Sequence, residues 1–304
     1  MLGATVSPVG PLLTLLTDFG TADYYVAAVK GTVLRLAPEA RIVDLSHEVA
    51  PGDLEGGADL LAAAAPAFPE GTLHLAVVDP GVGSARRILA VEAAGQRFVA
   101  PDNGLLTPFL GAVAAGSPAG GGAPPPFRAW SVERRELFLP SPGATFHGRD
   151  RFAPVAAALL RGEAPESLGP EVADPVRLPL EPPRRRASGG RVVLRGRVAR
   201  VDRFGNLVTD LPAAWLERGE LEAVEVAGRE VRRRVDHYGE LPAGEAGTLV
   251  GSLGTVELSL RGESLAERWG VSRGAPVSVV LYNRVPRGHG AAAGARPGGG
   301  RRAR

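Results

Sequence analysis

Cysteine is absent from the 304-residue sequence, which removes disulfide staples, thiolate zinc sites and a cysteine nucleophile together. Long hydrophobic runs are missing as well. The longest, around Ala58 to Phe68, is interrupted by Pro66 and is far too short to span a bilayer. No basic stretch precedes the first apolar run, so the chain reads as cytoplasmic, with no secretory signal and no membrane partner. Lysine is almost absent: Lys30 stands alone against thirty-four arginines, a skew that reads as compositional bias. A phosphate-binding Gly-x-x-x-x-Gly-Lys-Ser/Thr loop occurs nowhere, and no His-Glu-x-x-His spacing or similar ligand pattern suggests a metal. No cofactor is expected.

What is present is an ordinary globular composition, 44% apolar, too hydrophobic for disorder. The pI near 9.4 invites a nucleic-acid reading, but the charge is concentrated at one end. From Arg284 to Arg304 there are six arginines and no acid, which leaves a body of about −4 out of a formal +2. Residues 286–304 therefore read as a disordered Gly/Arg tail, and no specific nucleic-acid partner is expected.

The first half alternates short apolar runs with helical patterns. Leu12–Thr17, Arg41–Leu45, Leu73–Val78, Ile88–Glu92 and Phe98–Ala100 are strand candidates. Tyr25–Leu36, Asp53–Ala65 and Ala153–Leu160 are helix candidates, with a short helix after Asn103. Such alternation predicts an α/β domain over 1–180, a mostly parallel sheet flanked by helices. Ala115–Pro126 reads as a flexible surface excursion and Pro179–Gly190 as a linker. Beyond it the period shortens to two over Arg191–Asp202, Val224–Val226, Leu249–Gly251, Thr255–Leu260 and Val277–Leu281. That pattern predicts a smaller β-barrel domain over 190–285.

Polar clusters fall at the predicted strand ends, where ligands gather in open α/β sheets. Thr17-Asp18-Phe19-Gly20 follows the first strand; its kinase-like tripeptide lacks every companion motif, and Asp18 could accept from a ribose diol, although taken alone it reads more readily as a turn or cap residue. Val78-Asp79-Pro80-Gly81-Val82-Gly83, with Arg86 and Arg87 behind it, reads as a tight turn or a site loop. Pro101-Asp102-Asn103-Gly104 is a similar turn. In Thr145-Phe146-His147-Gly148-Arg149-Asp150 the flanking charges place the histidine at a pocket rim. Asp202 through Leu207 offers a carboxylate, the Phe204 ring and the Asn206 amide within five positions.

Taken in order, these stretches, together with Ile42 through His47 and Gly251-Ser252 through Ala266, resemble the S-adenosylmethionine hydroxide adenosyltransferases. These S-adenosylmethionine hydrolases are relatives of the nucleophilic fluorinases and chlorinases, and the match runs from about residue 12 to 282. The resemblance implies cleavage of S-adenosylmethionine at ribose C5′ by water, giving adenosine and methionine. It assigns water binding and activation to Asp79, Arg86 and His147, and the ribose to Asp18. Asp202 and Asn206 match the contacts to the methionine end and the adenine. Ser252, Glu257 and the backbone near Leu260 fall where the pocket is completed. It further implies a homotrimer with sites at subunit interfaces. One departure is Gly52, where the fluorinase carries a tryptophan over the substrate. Two alternatives stay open: a halogenase, disfavoured because a carboxylate at position 79 repels an anion, and a non-catalytic nucleotide-binding protein.

Overall fold

The computed structural model describes residues 10–111, 127–141, 143, 145–216 and 219–283. The Ala115–Pro126 excursion and the 286–304 tail lie outside the described residues. Two sheets carry the fold. The first has the order β2-β1-β3-β5-β4-β6, built from β1 (Leu12–Thr17), β2 (Arg41–Ser46), β3 (Leu73–Val77), β4 (Ile88–Ala93), β5 (Gln96–Pro101) and β6 (Arg128–Ser131). Strands β2, β1, β3 and β5 run parallel, while β4 is antiparallel to both β5 and β6. The expected parallel sheet thus holds for four strands, and β4 and β6 make its far edge mixed.

Both faces are covered, which is why the central strands read as unbroken apolar runs. Leu13 and Leu15 face α1 (Tyr25–Leu36) and α3 (Ala153–Leu160), joining Val26, Val29, Val33 and Val155 in one core. Leu16, Ala76 and Val78 face the other way, onto Ala58 and Leu61 of α2 (Leu54–Ala64). Asp53 caps α2, its side chain accepting from Gly56 N–H at 2.9 Å.

The second sheet has the order β11-β10-β14-β8-β9-β13-β12, with β7 paired to β8. Its strands are β7 (Arg184–Ser188), β8 (Arg191–Val201), β9 (Leu207–Pro212), β10 (Gly219–Val226), β11 (Arg229–Val231), β12 (Ala246–Val250), β13 (Thr255–Leu260) and β14 (Pro276–Asn283). Past β11, Val235 N–H donates to Thr248 O at 2.9 Å, and Thr248 N–H donates to Arg233 O at 2.8 Å. These bonds bring the two ends of the sheet together into a nearly closed barrel around Leu194, Val224, Leu258 and Val279. A short helix, α4 (Leu265–Trp269), is capped by Ser264. The stretch expected as a linker, Pro179–Gly190, holds β7, whose residues are all exposed.

Three ion pairs tie α2 to the barrel. Arg273 Nη1 lies 2.5 Å from Asp53 Oδ2, Arg197 Nη1 2.8 Å from Glu55 Oε2, and Arg200 Nη1 3.2 Å from Asp59 Oδ2. Among the described residues, no helix is long and apolar enough to cross a membrane.

Candidate active site

The parallel strands β1, β2 and β3 end side by side, and their last residues hand over to Asp18, His47 and Asp79. Asp18 Oδ2 accepts the Gly52 N–H at 2.8 Å. Gly52 has φ +73°, a conformation that side chains disfavour, and a Cβ there would lie 3.5 Å from Pro80. Gly52 therefore presents a backbone donor to Asp18 beside the Asp79-Pro80 turn. Asn103 Nδ2 donates to Val78 O at 2.9 Å and so fixes the end of the same strand.

Asp79 and Arg86 meet. Arg86 Nε donates to Asp79 Oδ1 at 2.5 Å, and Nη2 also contacts Oδ2. Both side chains are buried, 4% and 11% exposed, so the pair lies largely beyond solvent screening. Arg86 sits over the Phe152 ring, 5.5 Å from its centroid. Burial, with the Arg151 charge second, pulls the Arg86 guanidinium down to about 10, which leaves it cationic at neutral pH.

His147 heads a π-helical turn, Gly148–Phe152, that runs into α3. It is 2% exposed, not at a pocket rim as its charged neighbours suggested. Those neighbours neutralise each other: Arg149 Nε and Nη2 donate to Asp150 at 2.6 and 3.0 Å. Burial first, then the charges of Arg151 and Arg86, push the His147 imidazole down to about 4 against a smaller opposing effect of Asp150. The ring is neutral at pH 7, and neither nitrogen has a hydrogen-bond partner among the described residues. A buried imidazole with two unmet nitrogens is expensive, and such groups concentrate at functional sites. Sequence reasoning missed the aromatic wall beside it. Phe19, Tyr24, Tyr25 and Phe146 pack with centroids 4.7 to 6.2 Å apart, and Tyr24 remains 59% exposed. The adjacent Tyr24-Tyr25 pair directly after the Asp18 turn was the available signal.

The second group of candidates converges in the barrel. Asp202, Phe204, Asn206, Ser252, Glu257 and Leu260 all line one cavity of about 700 Å³, a volume ordinary for a small-molecule site. Asp202 organises its own turn: Oδ1 accepts Phe204 N–H and Asn206 N–H at 2.9 Å each, and Oδ2 accepts Asn206 Nδ2 at 2.8 Å. Gly205 closes this turn at φ +81°, where a Cβ would collide with Ser264. The turn buries Asn206 and pushes Phe204 outward, 77% exposed. Tyr238, which no local motif marked, donates from Oη to Glu257 Oε1 at 2.5 Å. Burial raises the Glu257 carboxyl, aided by the Asp202 charge and opposed by Tyr238 and Arg200.

None of Asp18, Asp79, Arg86 and His147 lines that barrel cavity. Arg86 faces a separate space of about 760 Å³ lined also by Arg87, Arg135 and Arg151. The cleft between the sheets, about 690 Å³, is walled by the Asp53–Arg273 and Asp59–Arg200 pairs and holds none of the sequence-predicted site residues. No group of three or more His, Asp or Glu side chains among the described residues is placed to hold a metal ion.

The chain matches the family model for the SAM hydroxide adenosyltransferase N-terminal domain over residues 13–169 and for the C-terminal domain over residues 196–278. A Thermus thermophilus protein named (R)-S-adenosyl-L-methionine hydrolase is 42% identical over 274 residues, 87% of this chain and 98% of the relative. A Nocardia brasiliensis protein named fluorinase is 28% identical over 311 residues, 89% of this chain and 97% of the relative. The solved structure of an uncharacterized conserved protein from Thermotoga maritima superposes with a TM-score of 0.76 at 30% identity, covering 88% of this chain and 99% of that one.

Proposed function

The chain belongs to the SAM hydroxide adenosyltransferase family, and we propose that it hydrolyses S-adenosyl-L-methionine at ribose C5′, giving adenosine and L-methionine. The observation that carries this reading is the buried Asp79–Arg86 pair beside the neutral His147. S-adenosylmethionine already carries a good leaving group, a neutral thioether departing from a sulfonium. The enzyme has to hold water in line with C5′–S and strip its bulk solvation. The water oxygen attacks C5′, the C5′–S electron pair leaves with methionine sulfur, and the water proton passes to Asp79. Arg86 fixes the carboxylate and balances its charge. His147, being neutral, orients water without repelling the cationic substrate.

Asp18 takes the ribose diol at the end of β1. Asp202, Phe204, Asn206, Ser252, Glu257 and Leu260 take the methionine and adenine ends from the barrel cavity. Because the barrel cavity is lined by none of Asp18, Asp79, Arg86 and His147, each working site pairs the 1–180 domain of one subunit with the 190–285 domain of the next, in a homotrimer. The outward Phe204, 77% exposed, supports this. Closed symmetry then repeats the site identically. We place the enzyme in the cytoplasm. The (R) descriptor in the relative's name points to the same sulfonium epimer as the substrate here.

A halogenase reading is weaker, because halide would have to sit against the Asp79 carboxylate. The experiment is incubation of the purified protein with S-adenosyl-L-methionine, with and without chloride or fluoride, followed by chromatography of the nucleoside. Adenosine in every arm is expected. A 5′-halogenated nucleoside, or binding with no nucleoside released, would overturn the reading.

A further inference from the structure

His47 has no part in the chemistry above, yet it grips the turn that carries Asp18 at both ends. Its carbonyl accepts the Gly20 N–H at 2.8 Å, and its ring Nδ1 lies 2.9 Å from Thr17 Oγ1. Asp18 and Phe19 are the two residues between those points. Thr17 Oγ1 also accepts the Phe19 N–H at 3.3 Å, so the hydroxyl holds the turn from inside. Thr17 is fully buried and His47 only 5% exposed, so water does not compete for these bonds.

The ring is steadied from its outer side. His47 Nε2 lies 3.1 Å from Asp44 Oδ1, within ion-pair range though not aligned as a hydrogen bond. Asp44 Oδ2 accepts from Lys30 Nζ at 2.6 Å. Burial alone would raise the Asp44 carboxyl, but Lys30 and His47 outweigh it and hold it below its usual range. An anionic Asp44 therefore favours the proton on Nε2. Nδ1 is then an acceptor, the Thr17 hydroxyl donates to it, and the Thr17 oxygen is left free for Phe19 N–H. With the proton on Nδ1, the Thr17 hydroxyl hydrogen would lose this partner. The only lysine in the chain thus closes a line that runs from the surface, through Asp44 and His47, to the Asp18 turn.

We infer that His47 is a positioning residue for Asp18, setting the reach of that carboxylate toward the ribose hydroxyls of the bound nucleoside. This rests on the ribose reading of Asp18. The carboxylate itself is held by one backbone donor, Gly52 N–H, so its direction depends on the conformation of the turn. Losing the grip misaims a bond made to substrate and transition state alike, which raises KM more than it lowers kcat.

The test compares His47→Ala, His47→Asn and Asp44→Asn with the wild type on S-adenosylmethionine and on its 2′-deoxy analogue, with thermal melts alongside. His47→Ala is expected to raise KM on the natural substrate about 10-fold, the equivalent of one good hydrogen bond. Its kcat should change less than about 3-fold, and its KM on the 2′-deoxy analogue less than about 2-fold. His47→Asn, whose amide oxygen still accepts from Thr17, recovers part of the loss. Asp44→Asn, acting from the partly exposed end, shows the same substrate-dependent pattern more weakly and guards against a fold defect in the histidine variants. Equal losses on both substrates, or a change confined to the melting temperature, would overturn the role of His47. A wild type indifferent to the 2′-hydroxyl would instead overturn the ribose reading of Asp18, and this proposal with it.

Discussion

Replacing Asp79 by Asn should produce two separable injuries. The carboxylate is 4% exposed and its partner Arg86 11%, with Nε 2.5 Å from Oδ1. The substitution leaves a buried guanidinium without its anion, a change that costs about 3–5 kcal/mol. Against a typical total of about 5–15 kcal/mol, the variant still folds at 25 °C but its melting temperature falls by about 6–20 °C for a domain of this size. Turnover at saturating S-adenosylmethionine should fall by about 10²–10⁴-fold, the range for losing a positioned base. Taken alone, the activity loss would be ambiguous. The double variant Asp79→Asn/Arg86→Met removes the stranded charge, so its melting temperature returns to the wild-type value or above it. Its turnover stays low. The assay pairs urea or thermal denaturation with adenosine release by chromatography. A double variant that regains both stability and turnover would show that Asp79 is not the base. A single variant of wild-type stability would show that the pair is not buried as described.

Four further outcomes follow from the same structure. Gly205→Ala forces a side chain onto a φ of +81° against Ser264, so it should cost more than about 1 kcal/mol in urea and weaken S-adenosylmethionine binding in calorimetry; a variant binding normally would refute the turn's role. Burial pushes His74 down to about 4, against a smaller opposing effect of Gln96. The unfolded chain takes up that proton below about 6.5, so stability is lost as pH falls from about 6.5 to 4, by up to about 3 kcal/mol for this group. His74→Gln should flatten that limb in melts recorded against pH. Mixing inactive Asp79→Asn subunits with inactive Asn206→Ala subunits should restore part of the activity, because a mixed interface pairs two intact halves; a fully active monomer in light scattering would refute the shared site. Chelators should leave turnover unchanged, and restoration of a chelated enzyme by a divalent ion would contradict water activation by Asp79 alone.

The parallel half of the fold was legible because its central strands are buried on both faces and read as apolar runs between turn signals. Leu12–Thr17, Tyr25–Leu36 and Ala153–Leu160 fall where the periodicity places them. Strand β7 was not legible. All five of its residues are exposed, so no alternation marks them, and only pairing with β8 makes them a strand. In the barrel, the six predicted residues come from two separated stretches, and the fold brings them to one cavity. Tyr238 escaped notice because its contact with Glu257 is made across the barrel, nineteen residues away, with no local pattern to mark it. His147 was misplaced for a related reason. Charges close behind a residue suggest exposure, but Arg149 and Asp150 satisfy each other and leave the ring inside.

Turnover in ¹⁸O-labelled water, followed by mass spectrometry of both products, shows whether water is what reaches C5′ of S-adenosylmethionine. One labelled oxygen is expected in adenosine, at the 5′ position, and none in methionine. Unlabelled adenosine, label in methionine, or a 5′-halogenated nucleoside formed when chloride is present would contradict attack by water at C5′.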